Sequence, residues 1–261
     1  MARFKLIAGG LCAYVTGVGA VVYYQGRKKR ECAEPVGKQS EADRMRAFDD
    51  HAPCYDDEIG ISETTMGIGL LRWWLIRKAR GRTLEIGAGT GRNLSYYDDD
   101  KTSVTLTDYS LPMVQQMRAK LEKRPVAAVK SVVVADAKNL AQFGDASFDT
   151  VVDTFGLCSF EDVDAVLAEM QRVCKPSGQL LLLEHGRGSY DWLNEQIDAG
   201  ADEHARKWGC YFNKDIDALV QRAGLRQLEI SRFHFGTTYM ITAKPGDAVS
   251  KAGRTVYGSD T

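Results

Sequence analysis

The hydrophobic pattern of the chain begins with a long apolar run. Leu6 to Tyr24 are apolar or small, apart from Thr16, and a helix of this length spans the roughly 30 Å hydrocarbon core of a bilayer. Basic residues flank the run, with Arg27 to Arg30 on its carboxyl side. We expect a single-pass membrane anchor over residues 1–26. A cleaved signal peptide and a mitochondrial targeting segment are the alternatives.

The pattern then turns polar and afterwards helical. Residues 27–50 are rich in charged side chains and predict a linker. The segment from Tyr55 to Arg80 predicts a helix, with Ser62 and Glu63 as a cap. The apolar positions of this segment recur at helical spacing and are Ile68, Leu71, Leu75 and Ala79.

From residue 83 onward, short apolar runs alternate with helical patterns. The runs are 83–86, 104–107, 132–134, 147–152 and 179–183. Such alternation predicts a Rossmann-like α/β domain over residues 51–244, with a mainly parallel sheet and helices on both faces. Arg226 to Arg232 and Thr238 to Thr242 predict a closing antiparallel pair. Residues 245–261 are rich in Gly, Ser and Lys and predict a flexible tail.

Composition narrows the classes of function. The 261 residues are 44% hydrophobic and 26% charged, which allows one packed domain with extensions. The net charge of −1 gives no reason to expect a nucleic-acid partner. The six cysteines form no C-x-x-C pair and show no metal-ligand spacing, so we expect free thiols in a reducing compartment and no metal.

A glycine-rich turn follows the first apolar run of the domain. Gly87, Gly89 and Gly91 come directly after the strand that contains Glu85. Glycine lets the backbone approach a ligand closely, because it has no Cβ. A dinucleotide fingerprint would need a glycine where Arg92 stands, so the spacing argues against a nicotinamide-dependent oxidoreductase.

Acidic residues end the next three predicted strands. Asp108 lies about 20 residues past the glycine turn, the position from which an acid binds ribose hydroxyls. Asp136 follows the third strand, where it can accept a proton of an adenine amino group, and Asp153 ends the fourth. Ligands of open parallel sheets bind outside the carboxyl ends of the strands, so we expect these acids to converge on one crevice.

These motifs resemble those of class I S-adenosylmethionine (SAM) methyltransferases. The E-x-G-x-G-x-G pattern is similar to their motif I, and Lys175-Pro176-Ser177-Gly178 is similar to their Lys-Pro-Gly-Gly turn. Asp108-x-Ser110 with Met113, and the pair Tyr55-Asp56, resemble the UbiE-like branch. The resemblance implies SAM as cofactor. The residues expected to bind it are Glu85, Gly87, Gly89, Gly91, Asp108, Tyr109, Met113, Asp136, Ala137, Asp153 and Tyr55.

A narrower resemblance is to the Oms-type methyltransferases of the mitochondrial inner membrane. It rests on residues 153–159, 183–187 and 207–210, on Asn213 and on the predicted anchor. It implies a single-pass inner-membrane enzyme that methylates a small-molecule or lipid-like acceptor, with subunits of a membrane complex as further candidate partners. The alternative is a methyltransferase-fold subunit of such a complex with little or no catalysis.

Methyl transfer needs a nucleophile held in line with the methyl carbon and a group that takes up its proton. We expect His185, which follows the fifth strand, to be the general base, with a structural histidine as the alternative. Further residues are expected to shape the acceptor pocket, and these are Cys158, Lys207, Trp208 and Asn213.

Overall fold

A computed structural model describes residues 37–246 of the chain. The predicted anchor, the first part of the predicted linker and nearly all of the predicted tail lie outside these residues. Within residues 37–246, no helix has both the length and the apolar character that crossing a bilayer requires.

Seven strands form one sheet, as the alternation of apolar runs predicts. The strands are β1 (Gly81–Ile86), β2 (Thr102–Asp108), β3 (Val129–Val134), β4 (Phe148–Thr154), β5 (Cys174–His185), β6 (Arg226–Phe233) and β7 (Thr238–Lys244). Their order is β3-β2-β1-β4-β5-β7-β6. β7 is antiparallel to β5 and β6, and the other pairs are parallel. The Rossmann-like fold is therefore confirmed, and the strand order reverses between β1 and β4, where such sheets form a crevice.

Seven helices surround the sheet in the described part of the chain. They are α1 (Glu41–His51), α2 (Tyr55–Thr65), α3 (Ile68–Ile76), α4 (Leu111–Lys123), α5 (Val163–Val173), α6 (Asp191–Trp208) and α7 (Ile216–Arg222). One apolar core joins α5 and α7 to one face of the sheet, and a second joins α3 and α4 to the other. Helix α5 follows β4, and its N-cap Asp162 accepts a hydrogen bond from the Ala165 backbone.

Two local predictions are corrected. The predicted linker contains α1, which a capping box starts: Ser40 Oγ accepts from the Asp43 backbone, and the Asp43 carboxylate accepts from Ser40. The predicted single helix from Tyr55 to Arg80 is two helices, because Gly67 adopts a left-handed conformation with φ of 67°. Ser62 and Glu63, predicted as a cap, lie within α2.

Candidate active site

A cavity of about 850 Å³ lies at the carboxyl ends of β1, β2 and β4, with α1 and α2 contributing to its wall. Eight of the predicted site residues line it, and these are Tyr55, Gly87, Gly89, Asp108, Tyr109, Met113, Asp136 and Ala137. The sequence therefore predicts the sheet edge at which the cavity opens and eight of the residues that line it.

The glycines of the turn differ in the space that surrounds them. All three have positive φ, at 56° for Gly87 and Gly89 and 80° for Gly91. A Cβ at Gly91 would lie 2.7 Å from Leu94, so this glycine makes room for packing. A Cβ at Gly89 would meet nothing within 4 Å, and this residue lines the cavity. Gly89 is therefore the position where backbone faces the open space.

Asp108 ties the end of β2 to this turn. Its carboxylate accepts hydrogen bonds from the backbone N–H of Gly89 at 2.7 Å and of Ser110 at 2.8 Å. Burial raises the pKa of Asp108 above its ordinary value, against the effect of these donors. Met113 is buried in the cavity wall, and Tyr109 is 58% exposed at its rim.

Glu85 lies beneath the turn rather than in the cavity wall. It accepts hydrogen bonds from Asn93 Nδ2 at 2.8 Å and from the Tyr97 hydroxyl at 2.5 Å. Burial raises the pKa of Glu85 to about 7. Glu85 therefore supports the turn from below, and its predicted contact with a cofactor stays a prediction.

The third strand end supplies a more exposed part of the wall. Asp136 and Ala137 both line the cavity, and the Asp136 carboxylate accepts from the Lys138 backbone at 2.9 Å. The Lys138 ammonium donates to Glu41 of α1 at 2.7 Å. This ion pair connects the sheet edge to the helix that covers the cavity.

Asp153 is buried below the cavity and does not line it. Its carboxyl interacts with that of Glu184 and with the backbone of Gly156 and Leu157, although none of these contacts within residues 37–246 has the geometry of a full hydrogen bond. Burial raises the pKa of Asp153 to about 7, and burial together with the Asp153 carboxyl raises that of Glu184 well above its ordinary range. A Cβ at Gly156 would clash with the Asp153 carboxyl, so the loop after β4 passes directly over it.

None of the residues predicted for catalysis and the acceptor pocket lines this cavity. The His185 ring packs on Phe155 at 4.3 Å between centroids, and Cys158 is fully buried beside it. Three others are held elsewhere by local partners: Trp208 stacks on His51, Lys207 lies over the Trp208 ring, and Asn213 donates to Asp198. Their role in an acceptor pocket stays a prediction.

Arg72 of α3 lines the cavity and is absent from the predictions. Only 5% of it is exposed, and its guanidinium donates to Asn93 at 3.1 Å, Thr154 at 2.8 Å and Glu63 at 2.8 Å. Its Nε has no hydrogen-bond partner among the described residues. One charge inside the apolar segment Ile68–Ile76 is the signal that could have identified it.

A charged network holds α2 against the glycine turn. Asp56 accepts from the Thr90 hydroxyl at 2.7 Å and from Arg92 at 3.1 Å. Glu63 accepts from Arg92 Nε at 3.0 Å and from Arg72. The chain segment that begins with Tyr55 and Asp56 therefore covers the site through ion pairs with the loop itself.

Comparisons with known proteins agree with this architecture. The family described as "Methyltransferase domain" matches residues 84–182. The chain is 34% identical over 224 residues to "Methyltransferase OMS1, mitochondrial" of Saccharomyces cerevisiae. The matched region covers 80% of this chain and 48% of that protein. The chain is also 32% identical over 168 residues to the ubiquinone/menaquinone biosynthesis C-methyltransferase UbiE of Shewanella oneidensis. This match covers 60% of this chain and 66% of that protein.

Solved structures share the fold at low sequence identity. A SAM-dependent methyltransferase of Thermotoga maritima matches with a TM-score of 0.58 and 20% identity, covering 77% of this chain and 99% of that one. A SAM-dependent methyltransferase of Leishmania major matches with a TM-score of 0.58 and 14% identity, covering 78% and 82%. The chain spans about half the length of the yeast relative and about two thirds of the bacterial one. With its domain match and these relatives, the chain belongs to the class I SAM-dependent methyltransferases.

Proposed function

We propose that this protein transfers a methyl group from SAM to a small-molecule or lipid-like acceptor at a mitochondrial membrane. The observation that carries the proposal is the cavity at the strand ends, in which the Asp108 carboxylate is bonded to the backbone of Gly89. SAM, when bound, supplies a methyl group on a sulfonium, which a nucleophile attacks in line.

The cofactor-binding roles are divided along the cavity wall. Asp108 would accept the ribose hydroxyl protons, and Asp136 with Ala137 would meet the adenine edge. Tyr109 and Met113 would pack on the adenine ring. Glu85 and Asp153 would act from below: Glu85 fixes the turn through Asn93, and Asp153 supports the loop that carries Gly156.

Arg72 would bind the carboxylate of the methionine part of SAM. Its guanidinium is fixed by Asn93 and Thr154, and it lies against the Phe155 ring at 4.9 Å. A buried guanidinium with an unpartnered N–H favours a carboxylate ligand, because a charge-assisted hydrogen bond then compensates its desolvation. Glu63 retains a second cationic partner, Arg92, so the binding role of Arg72 is separable from the ion-pair network.

Part of the cavity wall is apolar and would face the acceptor. Met45 and Phe48 of α1 and Phe155 and Phe160 after β4 line it. The UbiE relative is named for methylation of carbon in ubiquinone and menaquinone biosynthesis, and a quinone-like ring matches this lining. His185, expected as the general base, lies behind Phe155 and does not line the cavity. The walls would therefore act by holding the acceptor near the methyl group.

Exposed apolar side chains support attachment to a membrane. Ile61, Leu70, Trp73 and Trp74 of α2 and α3 are 48% to 76% exposed. Tryptophan favours the membrane–water interface, where its apolar ring and polar N–H both find partners. The yeast relative is named as mitochondrial, and the predicted anchor would hold these helices at that membrane.

Methyl-labelled SAM and an extract of mitochondrial lipids test the proposal with the full chain in detergent. We expect label to enter the organic phase with the wild-type protein and not with Asp108→Ala. Label that stays in SAM, although the protein binds it, would contradict the proposal and favour the scaffold alternative.

A further inference from the structure

Two thiols and an imidazole from three separate segments meet beside the cavity. Cys158 follows β4, His185 ends β5, and Cys210 follows α6. One ligand atom of each lies within 4.8 Å of the others, and the two sulfur atoms are 3.0 Å apart. Both cysteines are free thiols and buried.

We propose that Cys158, His185 and Cys210 bind one zinc ion. Two thiolates and a neutral imidazole are a donor set that zinc takes in proteins, with a fourth position left open in sites of three protein ligands. The charges balance: Zn²⁺ replaces the two thiol protons, which leave to solvent, and the complex with two thiolates is neutral. Borderline-soft zinc is favoured over magnesium or calcium, which take oxygen ligands.

Two buried acids lie next to the cluster. Glu184 precedes His185, and its carboxyl interacts with that of Asp153 and with the Leu157 backbone. The ammonium of Lys214 donates to the carbonyls of Leu157 and Phe160. These groups partner one another, so the proposed metal site rests on its three ligand residues.

The three ligand residues lie directly behind residues of the cavity wall. The His185 ring packs on Phe155 and Cys158 precedes Ser159, and both Phe155 and Ser159 line the cavity. The proposed ion would therefore lie one residue behind the cavity wall. His185 would then hold the metal rather than act as a general base. Metal binding does not rest on the proposed function, because it is measured without SAM.

The test uses the full chain, reduced and freed of metal by a chelator. Titration with Co²⁺ should give a thiolate-to-cobalt charge-transfer band that saturates at about one ion per chain and that Zn²⁺ abolishes. Cys158→Ser and Cys210→Ser should lose the band, and His185→Gln should weaken cobalt binding by at least about tenfold.

Two control variants retain the proposed ligands. Cys174→Ser removes a buried thiol outside the cluster. Cys54→Ser disrupts a second group, His51, Cys54 and Glu58, whose ligand atoms also lie within 4.8 Å of one another. We expect both variants to keep the band. A band lost in Cys54→Ser and kept in Cys158→Ser would place the metal at the other group and overturn the proposal.

Native mass spectrometry of the wild type needs no variant. We expect the mass of one zinc ion minus two protons to be added to the folded chain. No zinc adduct, or a disulfide joining Cys158 to Cys210 under the same reducing conditions, would overturn the proposal. If methyl transfer fails but zinc binds, the proposed function falls and the metal site stands.

Discussion

The carboxylate of Asp108 accepts a hydrogen bond from the backbone N–H of Gly89 at 2.7 Å. This bond joins the end of β2 to the turn after β1, across the two strands that the chain places side by side. Gly89 thereby presents backbone, and Asp108 presents carboxylate, to the same cavity. Cofactor binding is therefore expected to depend on both residues together.

Gly89→Ala tests the backbone approach. The added methyl group meets no protein atom, so it should point into the space that the cofactor needs. Gly224→Ala is the matched control, because Gly224 also has positive φ, at 69°, and open space around its Cβ. Both variants should lose about 1–2 kcal/mol of stability through the left-handed conformation. Calorimetric titration with S-adenosylhomocysteine should show weakened binding for Gly89→Ala alone, and equal affinities for both variants would contradict the assignment.

Arg72→Met separates the two ends of the cofactor. S-adenosylhomocysteine carries the methionine carboxylate and 5′-methylthioadenosine lacks it, while both carry ribose and adenine. Loss of one charge-assisted hydrogen bond, about 1.5–3 kcal/mol, should weaken the first ligand by roughly 10–150-fold and leave the second nearly unchanged. Competition binding measures both affinities. A similar loss for both ligands would show that Arg72 supports the fold of the site rather than the carboxylate.

Glu85→Gln should change how stability depends on pH. The pKa of Glu85 is about 7 in the folded protein against an ordinary value of 4.5, so the folded state holds a proton that the unfolded state releases between these values. Stability from this group is complete below pH 4.5 and declines as the pH rises to 7, by about 3 kcal/mol. The glutamine variant lacks this decline.

Urea unfolding at several pH values measures the difference. The stability of the wild type relative to Glu85→Gln should fall between pH 4.5 and 7 and then stay level. Glu122→Gln, an exposed change on α4, serves as the surface control. A difference that rises with pH would mean that Glu85 is held ionised by Asn93 and Tyr97.

Much of the fold, and the strand ends that line the cavity, could be predicted from the pattern of apolar residues along the chain. Asp108 and Asp136 could be predicted because parallel strands end at one edge, so position along the chain fixes position in space. Arg72 could not be placed in this way, because its contact with Asn93 and Thr154 depends on how α3 docks on the sheet. Helix α1 was concealed by its charged composition, although Ser40 and Asp43 start it.

The cysteine cluster shows a different limit of sequence patterns. Metal motifs are recognised by short spacing, whereas Cys158 and Cys210 are 52 residues apart and His185 lies between them. Only the folding of β4, β5 and the segment after α6 brings these three residues together. The predicted pocket residue Asn213 donates its amide to Asp198 and does not line the cavity, so its role stays a prediction.

Calorimetric titration of the full chain with S-adenosylhomocysteine measures cofactor binding at the strand-end cavity. We expect saturable binding of one ligand per chain to the wild type. Asp108→Ala should weaken it by roughly 10–150-fold, the loss of a hydrogen bond to a charged group of about 1.5–3 kcal/mol. Asp215→Ala, which removes the N-cap carboxylate of α7, should cost stability and leave affinity unchanged. No saturable binding to the folded wild type, or equal affinity in wild type and Asp108→Ala, would contradict cofactor binding at this cavity through Asp108.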